Sequence, residues 1–275
     1  MPTAHVNGVD IYYEVTGKGF PLVWSHEFAG DFRSWEPQVR FFSRRYQTIT
    51  YNARGYPPSE VPAEPEAYSQ ENAVEDLYQL LRHLGIEQAY VCGLSMGGNV
   101  ALNFGITHPD MTRAIIAAAT GTGTINREGF EQRMENLARK LETEGMKAAA
   151  EGYTKQPNRA QLPRKDQRSW QEFYSLLTTH SALGSALTAK GVQLKRPTIY
   201  DLESKLKELT VPTLIMTGDE DDGCIEPGLF MKRTIPRSGL VLFPQSGHPI
   251  NLEEPALFNR MVLDFLTAVE AGAWV

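Results

Sequence analysis

Residues 89–102 of this sequence read AYVCGLSMGGNVAL and contain the pattern G-x-S-x-G centred on Ser95. The apolar run before the pattern is typical of a buried strand, and residues 97–108 after it are predicted to form a helix. A serine on such a tight turn sits in strained backbone geometry, with its hydroxyl pushed out of the fold. The helix N-terminus adds a positive dipole end near a developing oxyanion. This context predicts a nucleophilic serine at position 95.

Outward from this turn, short apolar segments alternate with helical patterns. Asn7-Gly8 between apolar segments predicts a β-hairpin. Strands are predicted at residues 9–15, 21–25, 46–51, 89–92 and 113–118. Helices are predicted at residues 35–42, 70–84 and 97–108, and Ser69 is the expected N-cap of the second. Alternation of helices with continuous apolar strands indicates an α/β fold with a mostly parallel sheet covered by helices on both faces.

The alternation is interrupted once. Residues from about 122 to 205 are polar, charged and helical, without a clear strand. Strands are predicted again at 212–217 and 239–243, followed by a helix at 255–269. The simplest interpretation is one α/β core, residues 1–121 and 206–275, interrupted by a helical insertion, residues 122–205.

Composition restricts the class of protein. The 275 residues are 41% hydrophobic, which is enough for a sizeable core. A formal net charge of −6 argues against a nucleic-acid partner. Residues 121–210 hold fifteen Lys and Arg against eleven Asp and Glu. We interpret this surplus as solvated helix faces, with a preference for anionic substrates as the alternative.

The expected compartment is the cytoplasm. Two cysteines, Cys92 and Cys224, do not make a disulfide framework, so a reducing compartment is the default. The first ten residues lack a basic start followed by an apolar stretch, so no signal peptide is predicted. No run of about 18 apolar residues occurs, and no membrane partner is expected.

A serine hydroxyl needs a base to become a good nucleophile. In α/β sheets with this serine turn, the order along the chain is serine, acid, histidine. The strand at 212–217 runs into an acidic loop, 218–222, and of the six histidines only His248 lies beyond it. His248 is therefore the predicted base. The acidic loop offers Asp219, Asp221 and Asp222 as the acid.

The chain resembles the α/β-hydrolase family, in its group of small capped esterases and lactonases. Four stretches carry the resemblance: HEFAG (26–30), YNARGY (51–56), the Ser95 turn, and residues 218–221 with Gly247-His248. In similar proteins the acid lies three residues after the glycine that ends the strand, which here is Asp221. The resemblance implies a triad of Ser95, Asp221 and His248, and it makes residues 122–205 a helical cap over the pocket.

The resemblance also implies an oxyanion hole formed by the backbone N–H groups of Phe28 and Met96. Similar proteins usually have His-Gly where this chain has His26-Glu27. If that glycine needs positive φ, a glutamate would add about 1–2 kcal/mol of backbone strain. We interpret Glu27 as pointing away and pairing with a cation, Arg54 by family layout. The alternative is that Glu27 shapes specificity or acts as an extra acid or base.

Two histidines and Glu27 are predicted pocket residues. His26 precedes Glu27 in the loop that carries Phe28, and His180 lies in the insertion, where it is a candidate for the pocket wall. The sequence has no His-x-x-x-His or paired-cysteine spacing, no phosphate-binding lysine after the glycines and no G-x-G-x-x-G pattern. Neither a metal nor a cofactor is therefore expected.

The predicted function is hydrolysis of a carboxylic ester or lactone of small to medium size through an acyl-enzyme. Halide and epoxide members of the family need an aspartate nucleophile, so Ser95 argues against them. A carbon–carbon bond hydrolase of the meta-cleavage-product type shares the triad, but its usual Gly-rich loop after the first histidine is absent. A non-catalytic small-ligand receptor is the alternative from another class. The chain is expected to be a monomer or homodimer.

Overall fold

A sheet of eight strands runs through the computed structural model, which describes residues 2–275. Its strands are β1 (Thr3–Val6), β2 (Val9–Thr16), β3 (Pro21–Ser25), β4 (Gln47–Tyr51), β5 (Ala89–Leu94), β6 (Thr112–Ala118), β7 (Thr213–Gly218) and β8 (Ser238–Phe243). Their spatial order is β1-β2-β4-β3-β5-β6-β7-β8. The pairs β1/β2 and β2/β4 are antiparallel, and all neighbours from β4 to β8 are parallel.

Helices connect the strands and cover both faces of the sheet. They are α1 (Glu36–Phe42), α2 (Gln70–His83), α3 (Met96–Thr107), α4 (Arg127–Tyr153), α5 (Gln161–Lys165), α6 (Gln167–Leu177), α7 (Ala182–Thr188), α8 (Glu203–Glu208), α9 (Asp222–Thr234), α10 (Ile250–Glu253) and α11 (Pro255–Glu270). Among residues 2–275, no helix is long and apolar enough to cross a membrane.

The hydrophobic core lies on both sides of the sheet because side chains alternate along each strand. Trp24 of β3 and Cys92 of β5 belong to the cluster that packs under α1 and α11. Their neighbours Val23 and Val91 belong to the cluster under α2 and α3. Strands buried on both faces must be apolar throughout, which explains the continuous apolar runs in the sequence.

The segment between β6 and β7 is helical, with α4 to α7 and a π-helical turn at Ala189–Gln193. Helix α4 bends at Gly145, whose φ of 80° and ψ of 179° lie outside the helical region. A third apolar cluster joins these helices to the core, and it includes Leu141 and Phe173 together with Phe28 and Met96 beside the serine turn.

The predicted α/β fold is confirmed, and the predicted elements recur with small shifts at their ends. The Asn7-Gly8 turn has φ of 48° and 75° and joins β1 to β2 as a hairpin. Ser69 caps α2 by accepting a hydrogen bond from the Asn72 amide. Helix α9 is not among the elements predicted from the sequence. It contains Gly223, Pro227 and Gly228, which are all poor helix formers, so the segment carries little helix signal.

Candidate active site

The predicted site residues follow the carboxyl ends of neighbouring parallel strands. Ser95 follows β5, Asp221 follows β7 and His248 follows β8, while His26 follows β3. Carboxyl ends of parallel strands meet at one edge of a sheet, which is where α/β proteins form their binding crevices. The topology therefore gathers side chains that are up to 222 residues apart in sequence.

The serine turn is held in the left-handed backbone region. Ser95 has φ of 56° and ψ of −108°, an uncommon conformation for a residue with a side chain. A Cβ atom on Gly93 would lie 2.0 Å from the Gly97 carbonyl oxygen, and one on Gly97 would lie 2.0 Å from the Ser25 oxygen. Both positions therefore require glycine. The Asn99 side-chain amide donates a hydrogen bond to the Ser95 carbonyl at 3.0 Å, which supports the turn from the helix side.

Asp221 and His248 form a buried hydrogen-bonded pair. The distance from His248 Nδ1 to Asp221 Oδ2 is 2.6 Å. The second carboxylate oxygen, Oδ1, accepts a hydrogen bond from Asn158 Nδ2 at 2.9 Å. Burial alone would raise the pKa of Asp221, but the attraction and hydrogen bond of His248, together with the Asn158 amide, bring this pKa below its ordinary value. The acid is therefore held ionised beside the imidazole.

Ser95 and His248 line one cavity of about 520 Å³, a size typical of small-molecule sites. When His248 Nδ1–H donates to Asp221, Nε2 is left as the acceptor on the other edge of the ring. Within residues 2–275, neither the Ser95 hydroxyl nor His248 Nε2 makes a hydrogen bond. The fold thus brings the two groups to one cavity without a direct hydrogen bond between them.

Core loops and the insertion together surround this cavity. The core contributes Phe28, Ser95, Asp221 and His248. Helix α4 and the residues that follow it contribute a mostly apolar wall: Phe130, Met134, Leu137, Ala149, Tyr153 and Pro157. Charged groups of the insertion on this wall include Arg133, Lys140, Arg159 and Arg196.

Two backbone N–H groups near Ser95 are left without acceptors. In the part of the chain that the structure describes, neither the Phe28 nor the Met96 amide donates a hydrogen bond. Met96 is the first residue of α3, so its amide belongs to the unpaired N-terminal turn of the helix. The Phe28 carbonyl accepts from the Tyr56 hydroxyl at 2.9 Å, which fixes this peptide segment.

His26 braces the loop that carries Phe28 and does not line the cavity. Its Nδ1–H donates to the Glu27 carbonyl at 2.7 Å, and its Nε2 accepts from the Ala53 amide at 3.0 Å. These bonds require a neutral imidazole. Complete burial lowers the pKa of His26 to about 4, because the charged form would lose its hydration.

Glu27 pairs with a different arginine from the one predicted, and it too is absent from the cavity wall. Both side chains of the ion pair Glu27–Arg159 are buried, with Nη1 to Oε1 at 3.2 Å and a second bond from Nη2 to Oε2. Burial raises the pKa of Glu27, but the charge and hydrogen bonds of Arg159, together with His248 and His26, bring this pKa below its ordinary value. Arg54 instead binds Asp76, with Nε to Oδ2 at 2.7 Å.

The predicted backbone strain at Glu27 is also absent. Among the described residues, the non-glycine positions with positive φ are Asn7, Ser95, Ala119 and Gln245. Glu27 is not one of them, so this position does not need a glycine.

His180 is a second buried histidine that does not line the cavity. Its Nε2 lies 3.3 Å from Asp31 Oδ2, and its ring packs edge-on against Tyr56 with centroids 5.4 Å apart. Asp31 also binds Arg33 and caps the helical turn that precedes α1. His180 therefore joins the insertion to the core through Asp31 and Tyr56.

Asn158 and Arg159 are site residues that the sequence analysis missed. Asn158 binds the Asp221 side chain, and its carbonyl accepts the His248 backbone N–H at 2.7 Å. Arg159 binds Glu27 next to Phe28. The only sequence signal was an unexplained acid at position 27, which required a cation from some distant segment.

One group of metal-ligand types occurs in the described chain, formed by Asp221, Cys224 and His248 with ligand atoms within 4.8 Å of one another. Asp221 and His248 already bind each other, and Cys224 Sγ lies 3.2 Å from the Thr122 hydroxyl. Burial raises the pKa of the Cys224 thiol well above its ordinary value, so the thiolate that a metal needs is disfavoured. This chemistry does not fit a resident metal.

Comparison with known proteins agrees with this architecture. The family model for the alpha/beta hydrolase fold matches residues 21–255. The chain is 28% identical to 3-oxoadipate enol-lactonase 1 of Acinetobacter baylyi, over 90% of this chain and 89% of the relative. The enol-lactonase structure from Burkholderia xenovorans LB400 superposes with a TM-score of 0.86 at 26% identity, covering 97% and 100% of the two chains. A malate-bound thermophilic esterase from Thermogutta terrifontis gives 0.85 at 26% identity, covering 98% of each chain.

The chain belongs to the α/β-hydrolase fold family. The likeness to lactonases and esterases supports hydrolysis as the class of reaction.

The neutral state of His26 predicts a specific acid sensitivity. Its pKa is about 4 in the folded protein and 6.5 in the unfolded chain, so between these values the unfolded state binds more protons. Its contribution to stability is complete above pH 6.5 and is lost as the pH falls towards 4, by about 3 kcal/mol. We expect His26→Gln, which keeps an acceptor but cannot titrate, to lack this component. Urea unfolding of both proteins at a series of pH values measures the difference, and parallel pH curves would contradict the assignment.

The Glu27–Arg159 pair predicts a large loss of stability when one partner is removed. Glu27→Gln leaves a buried guanidinium without its counter-charge, which costs about 3–5 kcal/mol. The double variant Glu27→Met with Arg159→Met removes both charges and is expected to recover most of that loss. Glu36→Gln, which breaks an exposed pair with Arg40, is the control and should change stability little. Equal losses in the single and double variants, measured by urea unfolding, would show that the pair itself is unimportant.

Proposed function

We propose that this protein hydrolyses carboxylic esters or lactones of small to medium size, with Ser95 as nucleophile, His248 as general base and Asp221 as the acid that orients it. The observation that carries this proposal is the buried His248–Asp221 hydrogen bond of 2.6 Å at a cavity that also exposes the strained Ser95 turn. Likeness to an enol-lactonase and an esterase supports the same substrate class.

In the proposed cycle, Ser95 Oγ attacks the carbonyl carbon while His248 Nε2 takes its proton. The tetrahedral intermediate collapses, and the imidazolium returns that proton to the leaving alkoxide. A water molecule then attacks the acyl-enzyme by the same route and regenerates the free serine. Contacts between serine and histidine are often long before a substrate binds, so the missing direct hydrogen bond is compatible with this cycle.

Asp221 supports the base electrostatically. Its ionised carboxylate keeps the proton of His248 on Nδ1 and stabilises the imidazolium that forms as Ser95 is deprotonated. Its lowered pKa means that it remains a carboxylate at neutral pH. Asp219 and Asp222, the other acids considered from the sequence, are exposed and make no bond to His248 among the described residues.

The oxyanion would be bound by the amides of Phe28 and Met96. Both N–H groups lack an internal acceptor in the described part of the chain, and the dipole of α3 favours negative charge near Met96. Such donors accelerate acyl transfer because they are in position before charge develops on the substrate oxygen. Helices of the proposed cap, residues 122–205, supply the apolar wall that selects the acyl or alcohol group.

Replacing Ser95 tests the proposal directly. We expect wild type to hydrolyse p-nitrophenyl esters of short acyl chains and simple aliphatic lactones, and Ser95→Ala to lose at least about 10⁴-fold in kcat. A serine-directed fluorophosphonate should label wild type once and fail to label Ser95→Ala, as read by intact mass. Ser204→Ala, which changes an exposed serine on α8, is the matched control. Turnover that survives in Ser95→Ala would overturn the proposed nucleophile.

Asn158 is proposed as a positioning residue for the pair. Its side-chain amide binds Asp221 and its carbonyl binds the backbone of His248, so one residue of the insertion holds both loops. The amide favours the ionised form of Asp221, and removing it raises the pKa of that carboxyl.

Asn158→Ala is therefore expected to lower kcat by about tenfold while KM changes little, because the charge-assisted hydrogen bond that is lost binds Asp221 and not the substrate. The acid limb of the pH–kcat profile should move to higher pH. Asn103→Ala, which removes an amide from the outer part of α3, is the control and should leave the profile in place. A change in KM alone would indicate that Asn158 contacts substrate instead.

A further inference from the structure

Arg196 is a buried cation in the wall of the same cavity. It follows the π-helical turn at the end of the insertion, and only 5% of its surface is exposed. It lines the cavity together with Ser95, His248 and the neighbouring Gln193. Any substrate held over Ser95 in this cavity therefore lies in the same cavity as this guanidinium.

The guanidinium of Arg196 has no carboxylate partner. Its Nη2 donates to the Thr122 carbonyl at 3.1 Å, and its Nη1 has no hydrogen-bond partner among residues 2–275. The structure buries two other arginines in its described part, and each is bound to an acid: Arg54 to Asp76 and Arg159 to Glu27. Of these three arginines, Arg196 alone has a fully buried nitrogen without a hydrogen-bond partner in the described chain.

This arrangement is electrostatically unfavourable in the absence of an anion. Burial and the nearby charge of Arg127 lower the pKa of Arg196 to about 10, and the group is still charged at neutral pH. The Phe130 ring, 5.8 Å from the guanidinium carbon, gives partial compensation through a cation–π contact. A buried, charged donor without an acid is uncommon, because its lost hydration is not replaced.

The other charged groups near Arg196 do not neutralise its positive charge, so a bound anion can do so. Arg159 is neutralised by Glu27, and the Asp221 carboxylate, which accepts hydrogen bonds from His248 and Asn158, forms no ion pair with Arg196 within residues 2–275. The acids Glu220 and Asp222 also line the cavity but are exposed to solvent, so their charges are screened. Arg133 and Lys140, on α4, add positive charge and form no ion pair within the described chain.

We propose that Arg196 binds a carboxylate of the substrate, so that the preferred substrates are esters or lactones carrying a second, unreactive carboxylate. The planar fork of a guanidinium matches a carboxylate with two parallel hydrogen bonds, and a bound carboxylate would displace no partner from Nη1. This inference rests on the proposed hydrolysis at Ser95 and narrows it to acidic substrates.

A matched pair of substrates tests the inference. Mono-p-nitrophenyl adipate carries a terminal carboxylate, and p-nitrophenyl hexanoate has the same number of acyl carbons without the charge. We expect wild type to have the higher kcat/KM for the adipate ester. Arg196→Met should lower kcat/KM for this ester by about 10- to 100-fold, the usual cost of a lost hydrogen bond to a charged group, and leave the hexanoate ester within about threefold.

Two variants serve as comparisons. Arg196→Lys keeps the charge but loses the fork, so the preference for the adipate ester should fall less than in Arg196→Met. Arg139→Met removes an exposed arginine on α4 that does not line the cavity, and it should leave the preference unchanged. If Arg196→Met does not fold, the ratio of kcat/KM for the adipate and hexanoate esters is compared between wild type and Arg196→Lys.

The two esters test only a carboxylate on the acyl side of the substrate. A binding measurement does not depend on which side of the scissile bond carries the carboxylate. Adipate should raise the Tm of wild type more than adipamide does, and this difference should disappear in Arg196→Met or shrink in Arg196→Lys. Equal effects of the substitution on both esters, together with no difference between adipate and adipamide, would overturn the role of Arg196. The proposed function fails on different results: Ser95→Ala retains turnover, or wild type hydrolyses neither ester. In that case the difference in Tm between adipate and adipamide still decides whether Arg196 binds a carboxylate.

Discussion

The left-handed backbone at Ser95 is the constraint on which the rest of the site depends. A residue with a side chain adopts φ of 56° only where the surroundings enforce it, and here β5 is held between β3 and β6 while α3 begins at the next residue. The turn closes because Gly93 and Gly97 lack the Cβ atoms that would collide with neighbouring carbonyls. The same turn begins α3 at Met96, whose amide has no acceptor in the described part of the chain. The backbone strain, the position of Ser95 at the cavity and one half of the proposed oxyanion site thus follow from one local conformation.

A short segment of the insertion, residues 157–161, connects three loops of the core. Asn158 binds Asp221 and the backbone of His248, Arg159 binds Glu27, and Gln161 Nε2 donates to Glu220 at 2.6 Å. Loops at the ends of parallel strands have no regular hydrogen bonds to each other, so their relative positions depend on such contacts. The segment therefore contributes to the geometry of the site as well as to the wall of the cavity.

The fold, Ser95 and His248 could be predicted from the sequence because they depend on local patterns and chain order, whereas the family resemblance selected Asp221 from the acidic loop. Strand and helix patterns can be recognised within short stretches of sequence, and the Ser95 turn is a five-residue motif. His248 was predicted because it is the histidine that lies beyond the acidic loop in the chain. Contacts made by the insertion were not predictable in the same way. Asn158 lies in a polar segment without a motif, and its partners are 63 and 90 residues further along the chain. The same limitation explains the wrong partner for Glu27: family layout pointed to Arg54, whereas the buried cation arrives from the insertion.

The three buried arginines illustrate how the same side chain can serve folding or binding. A buried guanidinium loses its hydration. Either a fixed partner in the protein replaces the lost hydrogen bonds, or some of its N–H donors stay without an acceptor. Asp76 provides that partner for Arg54 and Glu27 provides it for Arg159, so these charges are balanced within the protein. A glutamate at position 27 is tolerable only because Arg159 is present. Either charge alone would be buried without a counter-charge. Arg196 has a backbone carbonyl and an aromatic ring but no acid. An imbalance of this kind beside a cavity is more simply explained by a ligand than by folding, because folding alone would favour a neutral side chain there.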